Sequence, residues 1–188
     1  WSSDKKLGKQ VSVLENQTDV SICFSDANVL NEIDDGKKYK TYLEEANITR
    51  EEFSLIDLLN FNFIPTCTAV FRNGFMGEIP SSYYLGAYAD WFVHLTNARH
   101  GKIKCINEQL ATYRLHKSGV FGSSSEIKRH ERALQAYELF SGFQFDKEYR
   151  VVLSHKKIEQ INKLLPLYKK KGEYLKYLKT RIKKLSLL

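Results

Sequence analysis

Three side chains in the stretch from Asp90 to His116 have the types and the spacing to do chemistry: Asp90, Arg114 and His116. A carboxylate acts as a general base when desolvation keeps it basic. A guanidinium pairs bidentately with phosphate oxygens, and a neutral imidazole binds a divalent metal or hydrogen-bonds a phosphate. These residue types therefore indicate proton transfer next to a phosphate or metal site, provided that the fold brings them together.

The elements that must position these side chains follow from the same stretch. Trp91, Leu95 and Ala98 recur at helical spacing, so a helix is predicted to begin near Asp90, and Gly101 suits a left-handed position after its end. Two short strands are predicted next, one over residues 102–106 and one from Leu110. In the second strand one face carries Ala111, Tyr113 and Leu115, and the other carries Thr112, Arg114 and His116.

Each candidate also has an ordinary structural interpretation. Asp90 can simply favour the positive end of a helix dipole. Arg114 can form a structural ion pair, for example with Glu108, and His116 can be satisfied by backbone groups. Asp26, at the predicted end of a strand, is interpreted as a turn residue. The remaining histidines show no metal spacing and are expected at the surface or at helix caps: His94, His100, His130 and His155.

Several motifs in a fixed order resemble the C-terminal half of a family 2 glycosyltransferase with the GT-A fold. An acidic residue and an aromatic residue open a helix at Asp90-Trp91. Downstream come H-G-K-I at 100–103, N-E-Q-L-A at 107–111 and Y-R-L-H-K-S-G-V at 113–120. Near the start, Trp1-Ser2-Ser3-Asp4 precedes the K-Q-V-x-x-L-E pattern at 9–15. The resemblance covers roughly residues 1–125.

This resemblance implies an inverting transfer of sugar from a nucleotide-sugar donor to a saccharide or lipid-linked acceptor, with Asp90 as general base. The family's base often follows a glutamate, a position that Ala89 occupies here. Residues 117–125 would form a lid over the donor. A divalent cation, Mg or Mn, is implied, with its main ligands outside this chain, so that the chain alone should be inactive. Further roles implied are diphosphate binding by Arg114, His116 and Ser118, metal contact by His116, and acceptor binding by Thr68 and Trp91.

Length and composition are those of about one globular domain. The 188 residues are 43% hydrophobic, and they begin with Trp rather than Met, which we interpret as a fragment lacking its nucleotide-binding half. Neither a secretory signal nor a run of apolar residues long enough to span a membrane is visible. Cys23, Cys67 and Cys105 are far apart in apolar runs, which predicts buried thiols and a reducing, cytoplasmic location.

Positive charge is concentrated at the C-terminal end. Residues 150–188 contain 12 Lys and Arg against two acids, whereas the 17 other basic residues face 20 acids. Leu175, Leu178, Ile182 and Leu185 recur every three to four residues, which predicts a basic amphipathic helix. The helix could lie on the inner, anionic face of a membrane, or pack its leucines on the body or on a second subunit. A non-catalytic module that binds membrane or nucleic acid is the alternative function, although Tyr174 and Tyr177 form no recognised nucleic-acid pattern.

The fold expected is α/β: a helix-rich C-terminal portion of a GT-A fold with a small mixed sheet and a helical tail, divided into 1–125 and 126–188. A truncated sheet would expose an edge and favour a homodimer. A first helix is predicted from Ser3 or Asp4 to Asn16, with Leu7, Val11 and Leu14 on one face. A second should follow a Thr49–Glu52 capping box, with Phe53, Ile56 and Leu59 inward. Two more are predicted, one from 126 to 141 and one from Asp146 with a disturbance near Pro166. Strands are predicted at 20–24 and 66–72.

Overall fold

The computed structural model describes residues 1–33, 40–75, 88–116, 125–143 and 145–187. These residues divide into two compact units, of which the first holds 1–33, 40–75 and 89–116 and the second holds 88 and the rest. The elements of the first unit are α1 (Lys6–Asn16), β1 (Val20–Asn31), α2 (Tyr42–Glu45), β2 (Glu52–Phe53), α3 (Leu55–Asn60), β3 (Val70–Phe71), α4 (Ala89–Ala98) and β4 (Lys102–Leu115). The second unit contains α5 (Glu126–Phe140), α6 (Lys147–Lys171) and α7 (Tyr174–Leu185).

A four-stranded mixed sheet, in the order β2-β4-β1-β3, is the centre of the first unit. The two long strands, β1 and β4, are parallel neighbours. The two-residue strand β3 pairs antiparallel with β1, and the two-residue strand β2 pairs antiparallel with β4. The prediction of an α/β protein with a small mixed sheet and a helical C-terminal region is therefore confirmed.

Strand β4 corrects the prediction of two short strands, because it is one strand of 14 residues. The predicted break lies where the register shifts: Ser25 pairs with Ile106, but Asp26 pairs with Gln109 and Ala27 with Ala111. Such extra residues bulge out of a strand without ending it. Strand β1 is also longer than predicted and continues beyond Phe24 to Asn31.

The core of the first unit is built around three phenylalanine rings. Phe24, Phe53 and Phe63 are fully or almost fully buried, and their ring centroids lie 4.5 to 5.9 Å apart. The tilted arrangement of the rings is one that aromatic pairs prefer. Strand β1 thereby packs against β2 and the loop after α3.

Of the three residues on the predicted apolar face of helix α1, only Leu14 is buried. Lys6, Gln10 and Leu14 are buried, whereas Leu7 and Val11 are each 41% exposed. The Gln10 side chain explains the orientation, because Nε2 donates to the carbonyl oxygens of Cys23 (3.0 Å) and Thr68 (2.7 Å). The Lys6 ammonium lies 4.7 Å from the ring centroid of Trp1.

The helix predicted after Thr49 begins five residues later. Ser54 is its N-cap and forms a capping box with Asp57, and the buried residues of α3 are Leu55, Leu58 and Leu59. Glu52 and Phe53 form β2 instead, because they pair with β4. The strand predicted over 66–72 is likewise limited to Val70–Phe71.

Gly101 is required for a close approach of two chain segments. Its φ is not positive, so the predicted left-handed conformation is wrong. A Cβ at this position would lie 2.5 Å from the carbonyl oxygen of Asp19. That oxygen accepts a hydrogen bond from the amide of Lys102 (2.7 Å), where the pairing of β4 with β1 begins.

The second unit packs its helices around Leu134, Ile161, Leu164 and Tyr168. Helix α6 continues through Pro166, so the predicted disturbance does not interrupt it, and it ends at Gly172, whose φ is 75°. A positive φ after a helix end is a conformation that glycine adopts without a steric penalty. In the part of the chain that is described, no helix is both long and apolar enough to cross a membrane.

Candidate functional site

The carboxylate of Asp90 lies in the first turn of α4 and is half-buried. Its Oδ1 accepts a hydrogen bond from the amide of Trp91 (2.8 Å), and its Oδ2 accepts one from the hydroxyl of Thr66 (2.6 Å). Both bonds fix the carboxylate in one orientation. An ionised carboxylate has about four lone-pair sites, so each oxygen retains capacity for a further donor.

Two tyrosines lie close enough to this carboxylate to experience its charge. The rings of Tyr42, at the start of α2, and Tyr113, near the end of β4, meet edge to face with centroids 5.7 Å apart. Burial raises the pKa of both phenols above the ordinary value, and the negative charge of Asp90 acts in the same direction. Both phenols therefore remain protonated at neutral pH and can donate hydrogen bonds.

A buried carboxylate in β1 positions Tyr42. Asp26 is 1% exposed, and its Oδ1 accepts hydrogen bonds from the amides of Ala27 (2.8 Å) and Leu43 (3.0 Å). The second bond holds the first turn of α2, whose own capping box joins Thr41 and Glu44. Asp26 is therefore a strand residue that anchors a helix, which corrects its interpretation as a turn residue.

The position of the site follows from the direction of the strands. Tyr113 lies in the C-terminal part of β4, and Tyr42 follows the C-terminal end of the parallel strand β1. In α/β sheets, ligands bind outside the carboxyl ends of parallel strands. Asp90 thus lies near the carboxyl ends of the parallel strands, where an α/β protein ordinarily binds its ligand.

His94, one helical turn after Asp90, is 2% exposed rather than at the surface as predicted. Burial lowers the pKa of its imidazole to about 4, while the nearby charge of Asp90 opposes the shift. Nδ1 lies 3.4 Å from Oδ1 of Asn62. The imidazole is consequently neutral at pH 7 and supports α4 from within.

Arg114 is engaged with a residue other than Asp90. Successive side chains of a strand point to opposite faces, so Arg114 points away from the face of Tyr113. Its Nε donates to Oε1 of Glu32 (2.7 Å), which replaces the expected partner Glu108. The hydrogen bond from Arg114 is the main reason that the pKa of Glu32 is lowered, and the charge of His116 contributes in the same direction.

Both predicted acceptor contacts are buried. Thr68 is fully buried and its hydroxyl donates to the carbonyl oxygen of Pro65 (2.7 Å). Trp91 is 3% exposed and its indole Nε1 donates to the carbonyl oxygen of Leu58 (2.8 Å). Neither side chain presents a surface to a sugar, so both belong to the core. Ser118 and nearly all of the predicted lid, residues 117–124, lie outside the described residues.

No group of three or more His, Cys, Asp or Glu side chains in the described ranges converges on a point where a metal could bind. Cys23 and Cys105 are buried free thiols, and burial raises their pKa values to about 11 and about 12. Cys67 is a half-buried free thiol. Burial also raises the pKa of the Cys67 thiol, so all three thiols are protonated at neutral pH.

A separate cavity of about 230 Å³ lies between the loop after α2 and helix α3. Its walls include Phe53, Phe61, Arg50 and Asp57. The Arg50 guanidinium stacks over the Phe53 ring, 4.4 Å from its centroid, and pairs with Asp57. Because the two charged side chains in its walls already pair with each other, this cavity is a weaker candidate than the surroundings of Asp90.

Sequence reasoning missed Thr66 and Tyr42. Thr66 is exposed and donates to Asp90, whereas the resemblance implies a role for Thr68, two residues later. The pattern T-Y-L-E at 41–44 is a capping-box signal that would have placed Tyr42 at a helix start. Its proximity to Tyr113 depends on the parallel pairing of β1 and β4, which no local pattern specifies.

No family model matches the sequence. Over 130 residues the chain is 31% identical to the uncharacterized protein Mb1547 of Mycobacterium bovis. The same identity over the same length relates it to the uncharacterized proteins MT1570 and Rv1520 of Mycobacterium tuberculosis. The aligned residues are 69% of this chain and 36% of each relative, so the chain spans about a third of the length of the curated relatives that it matches.

Proposed function

We propose that this chain is the acceptor-side part of a GT-A glycosyltransferase of family 2. The complete enzyme would transfer a sugar from a nucleotide-sugar donor to a saccharide or lipid-linked acceptor. The observation that carries the proposal is the carboxylate of Asp90, which is held by Thr66 and the amide of Trp91 and whose charge acts on the phenols of Tyr42 and Tyr113. The motifs at 1–15 and 100–120, which resemble those of the family, support the family, and the position of the carboxylate supports its role as a base.

In the proposed step, Asp90 takes the proton of an acceptor hydroxyl as the hydroxyl oxygen attacks the anomeric carbon. The bond between that carbon and the phosphate oxygen breaks, and its electron pair leaves with the nucleoside diphosphate. Inversion follows from attack on the face opposite the leaving group. A base held in place by two hydrogen bonds loses no orientational freedom during the step, and such positioned bases contribute about 10²–10⁴ in rate.

The geometry modifies the roles implied by the resemblance. Thr66 replaces Thr68 as the hydroxyl at the site, and the phenols of Tyr42 and Tyr113 replace the indole of Trp91 as groups that an acceptor would contact. On the donor side, His116 remains the candidate, while Arg114 would first have to leave Glu32. A divalent cation would offset the charge of the leaving diphosphate, with its ligands supplied by other parts of the complete protein.

The test is the substitution Asp90→Asn in the complete protein, supplied with a panel of nucleotide sugars, Mg²⁺ or Mn²⁺ and a candidate acceptor. Removing the base should lower kcat by about 10²-fold or more while leaving the KM for the donor nearly unchanged. The rate of nucleoside diphosphate release gives kcat and KM, and the product mass verifies the transfer. Asp19→Asn is the matched control, since Asp19 is exposed and pairs with Lys102.

Unchanged kcat in the Asp90→Asn variant would refute the role of Asp90. Robust transfer by the 188-residue chain alone would refute the assignment of this chain to the acceptor side. The alternative function, a non-catalytic module, predicts that no nucleotide sugar in the panel is turned over and that binding depends on α7 alone.

A further inference from the structure

Helix α7 carries its apolar side chains on the outside of the second unit. Leu175, Ile182 and Leu185 are each 68% exposed, and Tyr174 and Leu178 are 63% and 54% exposed. At about 100° per residue these five positions fall within one stripe along the helix. These side chains are therefore not buried against α5 or α6, the other helices of the second unit.

The opposite, more polar side of α7 faces the other helices. Tyr177 packs against the buried cluster of Leu134, Ile161, Leu164 and Tyr168. Lys176 pairs with Glu131 (3.3 Å) and Glu173 (2.8 Å), and Lys183 pairs with Glu138. The helix is therefore held in an orientation that turns its apolar stripe outward.

Positive charge borders the apolar stripe on both sides. Helical geometry places Lys179 on one side of the stripe and Arg181 on the other. In the described part of the chain, neither residue takes part in an ion pair, whereas Lys176 and Lys183 are paired. The stripe and its two cations together form what we call the α7 surface: Tyr174, Leu175, Leu178, Lys179, Arg181, Ile182 and Leu185.

We propose that the α7 surface binds the headgroup region of an anionic phospholipid bilayer, with the apolar stripe inserted and the two cations on lipid phosphates. A helix of 12 residues, about 18 Å long, lies in the plane of such an interface, and long basic side chains reach from it to the headgroups. This inference does not depend on the proposed enzymatic function.

Charge decides between a bilayer and the other occupants. A second copy of the α7 surface would bring Lys179 and Arg181 close to the same residues of its partner, and like charges at an interface are unfavourable. Nucleic acid would attract the cations but would leave five exposed apolar side chains in water. An anionic bilayer satisfies both features at once.

The experiment measures co-sedimentation of the complete protein with vesicles, either phosphatidylcholine alone or phosphatidylcholine with about one third phosphatidylglycerol. Preferential binding to the anionic vesicles is expected. Leu178→Ser/Ile182→Ser should abolish the binding at any ionic strength. Lys179→Gln/Arg181→Gln should weaken it roughly 30-fold at low salt and much less near 0.5 M salt, where charges are screened.

Two matched controls keep the test specific. Leu7→Ser/Val11→Ser removes an exposed apolar pair with the same spacing from α1, and Lys5→Gln/Lys40→Gln removes two exposed lysines from the first unit. Both control variants should bind anionic vesicles like the parent protein. Because all the substituted side chains are exposed, circular dichroism should show unchanged helix content in every variant.

The proposal is overturned if the parent protein ignores anionic vesicles, or if the Leu178→Ser/Ile182→Ser variant binds them as well as the parent. It is also overturned if that variant merely converts a dimer to a monomer in light scattering. DNA binding that the charge variant loses, in a protein that does not bind vesicles, would assign the α7 surface to nucleic acid instead.

Discussion

At the scale of single residues, polar side chains do much of the positioning in the first unit. Gln10 joins α1 to β1 and to the turn at Thr68, and Asp26 joins β1 to α2. Both side chains are buried, so hydrogen bonds to the backbone replace the bonds that they would make to water. The carboxylate of Asp90 depends on these two residues indirectly, because they hold the segments that carry Thr66 and Tyr42.

Gln10→Ala should lower the free energy of unfolding by about 2 kcal/mol or more, because two buried carbonyl oxygens lose their donor and a cavity forms. Urea denaturation measures the loss. Gln109→Ala, at an exposed strand position, is the matched control and should change the free energy by less than about 0.5 kcal/mol. Equal effects at the two positions would show that the bridging amide is unimportant.

His94 should make the protein less stable as the pH falls. Its pKa is about 4 in the folded protein and 6.5 when unperturbed, so between these values the unfolded chain binds a proton that the folded protein does not. Stability from this group is complete above pH 6.5 and declines toward pH 4, by up to about 1.4 kcal/mol per pH unit. His94→Leu should remove this part of the slope in unfolding curves recorded at several pH values. An identical slope in the variant would contradict the assignment.

At the scale of elements, the pairing of β1 with β4 at their N-terminal ends depends on one glycine. Gly101→Ala should destabilise the protein by more than about 2 kcal/mol, since the new methyl group meets the Asp19 carbonyl and separates the strands where their pairing begins. The control is Gly8→Ala in α1, where nothing lies within 4 Å of the added Cβ. That variant should be neutral or gain up to about 1 kcal/mol in helix propensity. Thermal unfolding of both variants provides the comparison, and a tolerated alanine at 101 would refute the close approach.

Elements with a strong local signal were predictable from the sequence. Helix α4 begins within a residue of Asp90, and α5 ends two residues before Gly142, because apolar periodicity and end signals agree there. The errors occur where distant pairing overrides a local pattern. Thr49–Glu52 reads as a capping box, yet Glu52 is drawn into β2 by its pairing with Lys104.

The candidate site could be predicted in part. The sequence predicts the place of Asp90 at a helix start, and the alternation in β4 predicts opposite faces for Tyr113 and Arg114. Thr66, Tyr42 and the buried Asp26 could not be grouped with Asp90, because their proximity arises from the parallel pairing of β1 with β4. The outward orientation of the leucines in α7 likewise depends on the packing of Tyr177 and on ion pairs with α5.

At the scale of the whole molecule, the two units are built differently. The first is organised by two strands that are far apart in sequence, with edges of only two residues each. The second is built from helices that follow one another along the chain. Different segments of a protein unfold locally with different free energies, and amide hydrogen exchange measures these free energies residue by residue.

Amides in the centre of β1, such as Phe24, should exchange only through global unfolding of the first unit. The amide of Arg72, which donates to the carbonyl of Ser21 beside the short strand β3, should exchange much faster through local opening. Amide exchange followed by NMR or mass spectrometry distinguishes the two. Equal protection of both amides would mean that the edge strand opens only together with the sheet.

The pairing of β1 with β4 also has a consequence for biosynthesis. Strand β1 leaves the ribosome long before its neighbour, and its apolar residues from Val20 to Ala27 have no long partner until the chain has been translated past Lys102. During that interval the nascent chain exposes a strand edge suited to wrong pairing, and a chaperone that shields it would raise the yield of native protein. Slow translation through residues 32–101 should therefore lengthen the period of risk for this chain.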